Sequence, residues 1–258
     1  MPASAASALA RAKERGHRLF ICTGRSAPEV YPRFFDLGFE GIVGGAGGYA
    51  AVGSTVLLDE RMPAEHVEAL TRMWEELGAF YVWQGPDQMG PSRGYLDFFV
   101  PRAGENPQDW VEYGESVTPF VVDIEGGSFT KVTAYVRPEN ASMERISAAL
   151  PDGYRAIIGS VGAAGYVPFE VLPTRLSKAV GIEAVCEHLG IPLSRSVAIG
   201  DSNNDVEAVA RAGVGISIGD GCEALVEVAD IVAPAVGDDG FAWALAAAGL
   251  IDEAPNPA

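Results

Sequence analysis

The chain has 258 residues, enough for one large domain or two modest ones. Hydrophobic residues make up 48% and charged residues 21%, which predicts a core-forming protein and excludes a disordered one. A formal net charge of −17 without a basic cluster argues against nucleic acid, yet leaves room for a small anion beside one lysine, a helix N-terminus or a metal ion. Cys22, Cys186 and Cys222 are far apart and form no Cys-x-x-Cys pair. They indicate neither a zinc site nor a disulfide framework, and a reducing cytoplasm is expected. The small-residue N-terminus lacks the charged start and apolar run of a signal peptide, and no stretch reaches the roughly 18 apolar residues of a membrane span. Nothing in the pattern sets an oligomeric state.

In chain order, residues 5–16 read as a helix with Leu9 and Ala12 on its apolar side and Gly16 at its close. The run Arg18 to Cys22 reads as a buried parallel strand, residues 27–37 as a helix, and residues 41–43 as a second strand. Tyr49 to Val52 and Thr55 to Leu58 flank Gly53-Ser54 as a hairpin. From Met62 the texture changes. A helix over 64–77 is followed by extended pieces at 80–83, 95–100, 130–136 and 156–160, a helix over 141–150, and loops at 85–94 and 101–107. Strict strand–helix alternation is lost here, so this stretch is expected to be an inserted second domain. Alternation resumes around Phe169 to Pro173, with helices over 177–189, 204–212, 223–229 and 241–248 and strands at 196–199, 214–218 and 231–232. Only the tail at 252–258 reads as frayed. Short apolar strands joined by amphipathic helices predict a three-layer, Rossmann-like parallel α/β core.

In such sheets ligands bind beyond the carboxyl ends of the strands. Thr23-Gly24-Arg25 follows the first strand, where a hydroxyl and backbone N–H groups can either hold a phosphate or cap a helix. Gly200-Asp201-Ser202-Asn203-Asn204-Asp205 follows another strand. Two carboxylates this close repel unless a cation separates them, which suits Mg²⁺; the alternative is an Asn/Asp-rich capping turn. Lys178 opens a helix, where the dipole disfavours a cation unless an anion faces it. Gly45 to Ala50 matches a dinucleotide-binding pattern, but a hairpin follows where that fingerprint needs a helix. His17, His66 and His188 do not cluster, and there is no Gly-x-Ser-x-Gly elbow.

Together these pieces resemble the Cof-type phosphatases of the haloacid-dehalogenase superfamily. The motifs stand in family order: Thr23-Gly24-Arg25, then Lys178, then Gly200-Asp201-x-x-Asn204-Asp205. Gly16-His17, Phe169 to Pro173 and Asp238 to Ala242 match the flanking text. The resemblance covers nearly the whole chain and is loosest in the inserted part. It implies a haloacid-dehalogenase core at 1–59 and 173–258 and an α+β cap at 60–172. It also implies a cytoplasmic, Mg²⁺-dependent hydrolase of small phosphorylated metabolites such as sugar phosphates. By resemblance Thr23, Gly24, Arg25 and Lys178 bind substrate, with Thr23, Lys178 and Asn204 in the catalytic set. Asp201 and Asp205 hold the metal, and Asn204 orients their loop.

The chain departs from that family at its front. The resembling enzymes open with Asp-x-Asp on a central strand, the first Asp being the nucleophile, whereas the first acid here is Glu14. The expectation is a natural start about 20 residues upstream, one strand and a loop. The 258 residues themselves are then expected to be inactive. The alternatives are a phosphate-binding module without turnover and, from the glycine run, a dinucleotide oxidoreductase.

Overall fold

The computed structural model describes residues 1–99, 107–159, 161–219 and 221–252. Helix α1 (Ala3–Glu14) buries Ala5, Ala8, Leu9 and Ala12, and leads to β1 (Phe20–Cys22). The helix expected over 27–37 is instead two 3-10 turns, Ala27–Glu29 and Pro32–Leu37. Pro32 lacks the N–H that a continuous helix would need there. Next come β2 (Gly41–Gly44), β3 (Tyr49–Val52), β4 (Thr55–Asp59), α2 (Ala64–Glu76), β5 (Phe80–Gln84), β6 (Met89–Pro91), α3 (Tyr95–Phe99), α4 (Pro107–Val117) and β7 (Lys131–Val136). They are followed by α5 (Met143–Ala148), β8 (Tyr154–Ile158), β9 (Val167–Pro173), α6 (Lys178–Leu189), β10 (Val197–Gly200) and α7 (Val206–Arg211). The chain closes with β11 (Val214–Ile218), α8 (Glu223–Val228), β12 (Ile231–Ala233) and α9 (Gly240–Ala247).

Tyr95 to Val100, expected as a strand, is helix α3 as far as Phe99, and Val100 lies outside the described residues. Tyr95, Phe98 and Phe99 are spaced i, i+3 and i+4, so one helical face delivers all three rings to a buried cluster with Met89, Tyr113 and Tyr135. Residues 101–106 of the expected loop, Ser160 and the tail at 253–258 also lie outside the described residues. No helix among the described residues is long and apolar enough to cross a membrane.

The chain forms two compact units: residues 1–24, 32–58 and 177–258, and residues 25–31 and 59–176. Against the boundaries read from sequence, the second unit begins and ends close to residues 60 and 172 but also takes in Arg25–Tyr31.

The first unit contains two half-sheets. One runs β1-β2-β3-β4, with β1 and β2 parallel; the other runs β10-β11-β12, all parallel. β1 ends the first and β10 ends the second. Both half-sheets share the same helical layers. On one face Ala8 and Ala12 of α1 and Leu245 of α9 pack with Leu19 and Ile199. On the other, α6 reaches Phe20 and Val43 through Val185, and Ala198 through Ile182. Gly181 permits that approach, since a Cβ there would stand 2.3 Å from Val43 Cγ1.

The second unit is an antiparallel sheet in the order β6-β5-β7-β9-β8. Strand alternation sorts its side chains. Trp83, Val132, Ala134 and Val171 pack with Leu70 and Trp74 of α2. Trp83 and Tyr95 are core residues at 0% and 2% exposure. Gln84, Lys131, Thr133 and Glu170 form a buried polar group: Lys131 pairs with Glu170 at 2.6 Å, and Thr133 donates to Gln84 at 2.8 Å.

Candidate functional site

The polar residues of the first unit gather where β1 and β10 end and α6 begins. Thr23 continues β1 by donating its N–H to the Val43 carbonyl at 2.8 Å, and its own carbonyl accepts from Ala46 at 3.3 Å. Ala46 carries a left-handed φ of 57°, a strained conformation for a residue with a Cβ. Gly47 follows at φ 96°; a Cβ there would lie 1.9 Å from the Ser177 carbonyl oxygen, so this glycine lets the turn press against the start of α6. The glycine run thus serves a tight turn that enters β3, and the helix a dinucleotide fingerprint needs is absent from it.

Lys178 is the first residue of α6 and is 5% exposed. Its ammonium donates to Asn204 Oδ1 at 2.7 Å and to Asp205 Oδ1 at 2.5 Å. Asp205, 6% exposed, accepts on its other oxygen from the Ser202 amide and hydroxyl, both at 3.1 Å, and from the Asp201 amide at 3.2 Å. A buried ammonium and carboxylate are tolerated because each is paired and hydrogen-bonded. The loop is wound tightly around this pair: a Cβ on Gly200 would meet the Asp205 Cβ at 2.3 Å. Gly24 stands against the same loop, 3.1 Å from Asn204 Nδ2 when a Cβ is placed on it.

Asp201 differs from Asp205. It is exposed, and its carboxylate takes part in no hydrogen bond or ion pair among the described residues. The two aspartates that the sequence offers together as metal ligands therefore have separate surroundings. Both oxygens of Asp205 are engaged in holding Lys178 and the loop, and only Asp201 has a carboxylate free to receive a cation. No cluster of three or more His, Cys, Asp or Glu side chains suited to a metal ion occurs among the described residues. Mg²⁺ commonly takes one or two carboxylates and completes its shell with water and phosphate oxygen, so one free carboxylate fits half of such a site.

Arg25 belongs to the second unit, where its guanidinium donates to the Glu29 carbonyl at 3.2 Å and lies over the Tyr31 ring. Two residues to which the sequence reading gave no role stand with Lys178 and Asp205. Ser177 is 6% exposed at the N-cap of α6, and its hydroxyl has no partner among the described residues. Ser202 stands three residues before Asp205 in a capping box, a spacing visible in the sequence.

Cys22, at the end of β1, is reached by solvent, yet the surrounding protein strips enough water from the thiol to push it up to about 11. Nearby Lys178 lowers that value in part and Asp205 raises it, which places the thiol in the field of the same pair.

The sequence matches the haloacid dehalogenase-like hydrolases over residues 1–245, and the chain belongs to that family. It is 25% identical over 251 residues to YkrA of Bacillus subtilis (strain 168), provisionally named a phosphatase, covering 97% of this chain and 92% of that one. A crystal structure of a hypothetical protein from Geobacillus kaustophilus HTA426 superposes with a TM-score of 0.75 at 27% identity, over 97% of this chain and 93% of the other. The sugar phosphatase BT4131, of haloacid-dehalogenase subclass IIB, shares the fold, with a TM-score of 0.76 at 22% identity over the same shares. The architecture is thus a Rossmann-like haloacid-dehalogenase core with an inserted α+β cap.

Proposed function

We propose that this protein handles small phosphate monoesters, with sugar phosphates as the favoured class, and that it does so as a Mg²⁺-dependent phosphatase. The observation that carries the reading is the buried Lys178 ammonium. It opens a helix beside a Ser177 hydroxyl unpartnered among the described residues and is fixed by Asn204 and Asp205. A cation held on two acceptors at a helix N-terminus is placed to receive a phosphate that the helix amides also attract. Thr23 and the Gly24 amide bind the transferring phosphoryl group. Asp201 holds Mg²⁺, which supplies charge neutralisation on the phosphate oxygens when bound. Asp205 acts through Lys178 and the loop rather than as a ligand. The names of YkrA and BT4131 support the reaction class, and BT4131 supports the sugar phosphate.

The nucleophile is the remaining part. The first acid of the sequence, Glu14, sits in α1. The two half-sheets support an extended segment as its source. β1 and β10 each end a sheet while leaning on shared helices, so a strand laid between them would satisfy both edges. A carboxylate on such a strand would lie at the strand ends beside Thr23 and Asp201. That carboxylate would attack phosphorus as the ester oxygen leaves, and water would then cleave the aspartyl phosphate.

The second reading is a phosphate binder without turnover, which needs the same Lys178 site and no nucleophile. One experiment separates them: Mg²⁺-dependent hydrolysis of p-nitrophenyl phosphate by the 258 residues alone and by the same chain preceded by an Asp-x-Asp strand. The phosphatase reading expects turnover from the extended chain alone, abolished by Asp201→Asn. Silence of the extended chain favours the binder; undiminished activity in Asp201→Asn refutes the metal assignment.

A further inference from the structure

Arg25–Tyr31 follows the Thr23-Gly24 turn directly, yet its contacts place it in the inserted unit. An insertion in a single loop needs two crossings between units, here after Leu58 and after Leu176; this chain also crosses after Gly24 and after Tyr31. The extra excursion is held by one carboxylate. Glu29 is 5% exposed and accepts from the Ser26 amide and hydroxyl, each at 2.8 Å, from Gln84 Nε2 at 2.7 Å and from the Tyr113 hydroxyl at 3.2 Å. The Ser116 hydroxyl donates to the Pro28 carbonyl at 3.2 Å, tying the same turn to α4. Arg25 donates to the backbone carbonyl of Glu29, and the Ser26, Gln84 and Tyr113 donors to the carboxylate are all neutral groups. Removing a buried acceptor of this kind strands several donors at once, which makes it a strong and specific anchor.

We propose that Glu29 is a positioning residue for the phosphate-binding turn. Thr23 is fixed on one side by its bond to Val43 of β2. On the other side, one residue beyond Gly24, the chain enters the segment that Glu29 clamps into the insert. The Thr23–Gly24 turn is therefore joined, through a single peptide bond, to a segment anchored in the second unit. This inference rests on the proposed role of Thr23 and Gly24 only for its functional consequence; the mechanical link stands on the Glu29 contacts.

The test is residue-resolved amide hydrogen exchange on the full chain with Glu29→Gln, with the gentler Tyr113→Phe, and with Glu29→Gln/Gln84→Glu, which exchanges acid and amide across the contact. Glu29→Gln is expected to speed exchange about tenfold at Thr23 and Ala46, whose amides report the turn, while the α6 and β11 amides keep their protection. Tyr113→Phe should move the same amides less, and the exchanged pair should recover part of the loss. Inorganic phosphate with Mg²⁺ should bind about tenfold more weakly to Glu29→Gln. Faster exchange confined to residues 25–31 and the insert, with Thr23 and Ala46 unchanged in both single variants, overturns the proposal. If the unmodified chain binds no phosphate, the functional reading falls, and the exchange data still decide the link.

Discussion

Asp205 accepts from Lys178 on one oxygen and from Ser202 and Asp201 on the other, and nearly all of it is buried. Lys178→Met would leave that carboxylate in a poorly solvated site without its cation, a loss of about 3 kcal/mol. Asp201→Asn changes an exposed side chain without a partner among the described residues and should stay within about 0.5 kcal/mol. Urea titration of both variants checks the contrast, and equal losses would refute the separation of roles. Cys22 offers a second check, by pH. Its folded thiol is raised to about 11, so between pH 9 and 11 the unfolded chain sheds this proton while the folded chain keeps it. The contribution to stability is therefore intact below pH 9 and declines as pH climbs toward 11. Iodoacetamide modification of folded Cys22 should keep accelerating about tenfold per pH unit to near 11, since the thiolate is the reactive form. A plateau near pH 9 would contradict the shift. At this scale the site was legible, because Thr23, Lys178 and Asp205 each stand where a strand ends or a helix begins. Ser177 was not, since an N-cap serine reads the same with or without a partner.

At the scale of elements, the strands and helices of the core follow the periodicity of the sequence closely. The misreadings fall where local signals compete. Tyr95 to Val100 is rich in aromatic residues that favour strands, but the i, i+3, i+4 spacing of its rings lets a helix bury them together. The helix α4 was passed over because Gly114 and scattered acids blur its apolar face. Pro28 and Pro32 turn an apparent helix into two short turns, and that break is what lets residues 25–31 leave the core and seat Glu29 in the insert. No local pattern announces this, since Gln84 and Tyr113, the partners that hold the turn, lie 55 and 84 residues away in sequence.

For the whole molecule, one physical idea links the parts. The core places a buried cation, a hydroxyl and one free carboxylate at neighbouring strand and helix ends, and the family membership gives that grouping a reaction to serve. Turnover and binding without turnover both need the same phosphate site. Calorimetry of inorganic phosphate titrated into the folded 258-residue chain, with and without Mg²⁺, tests it most directly. Saturable binding that strengthens with Mg²⁺, loses that dependence in Asp201→Asn and vanishes in Lys178→Met is the predicted result. A folded chain that takes up no phosphate in either condition would contradict it.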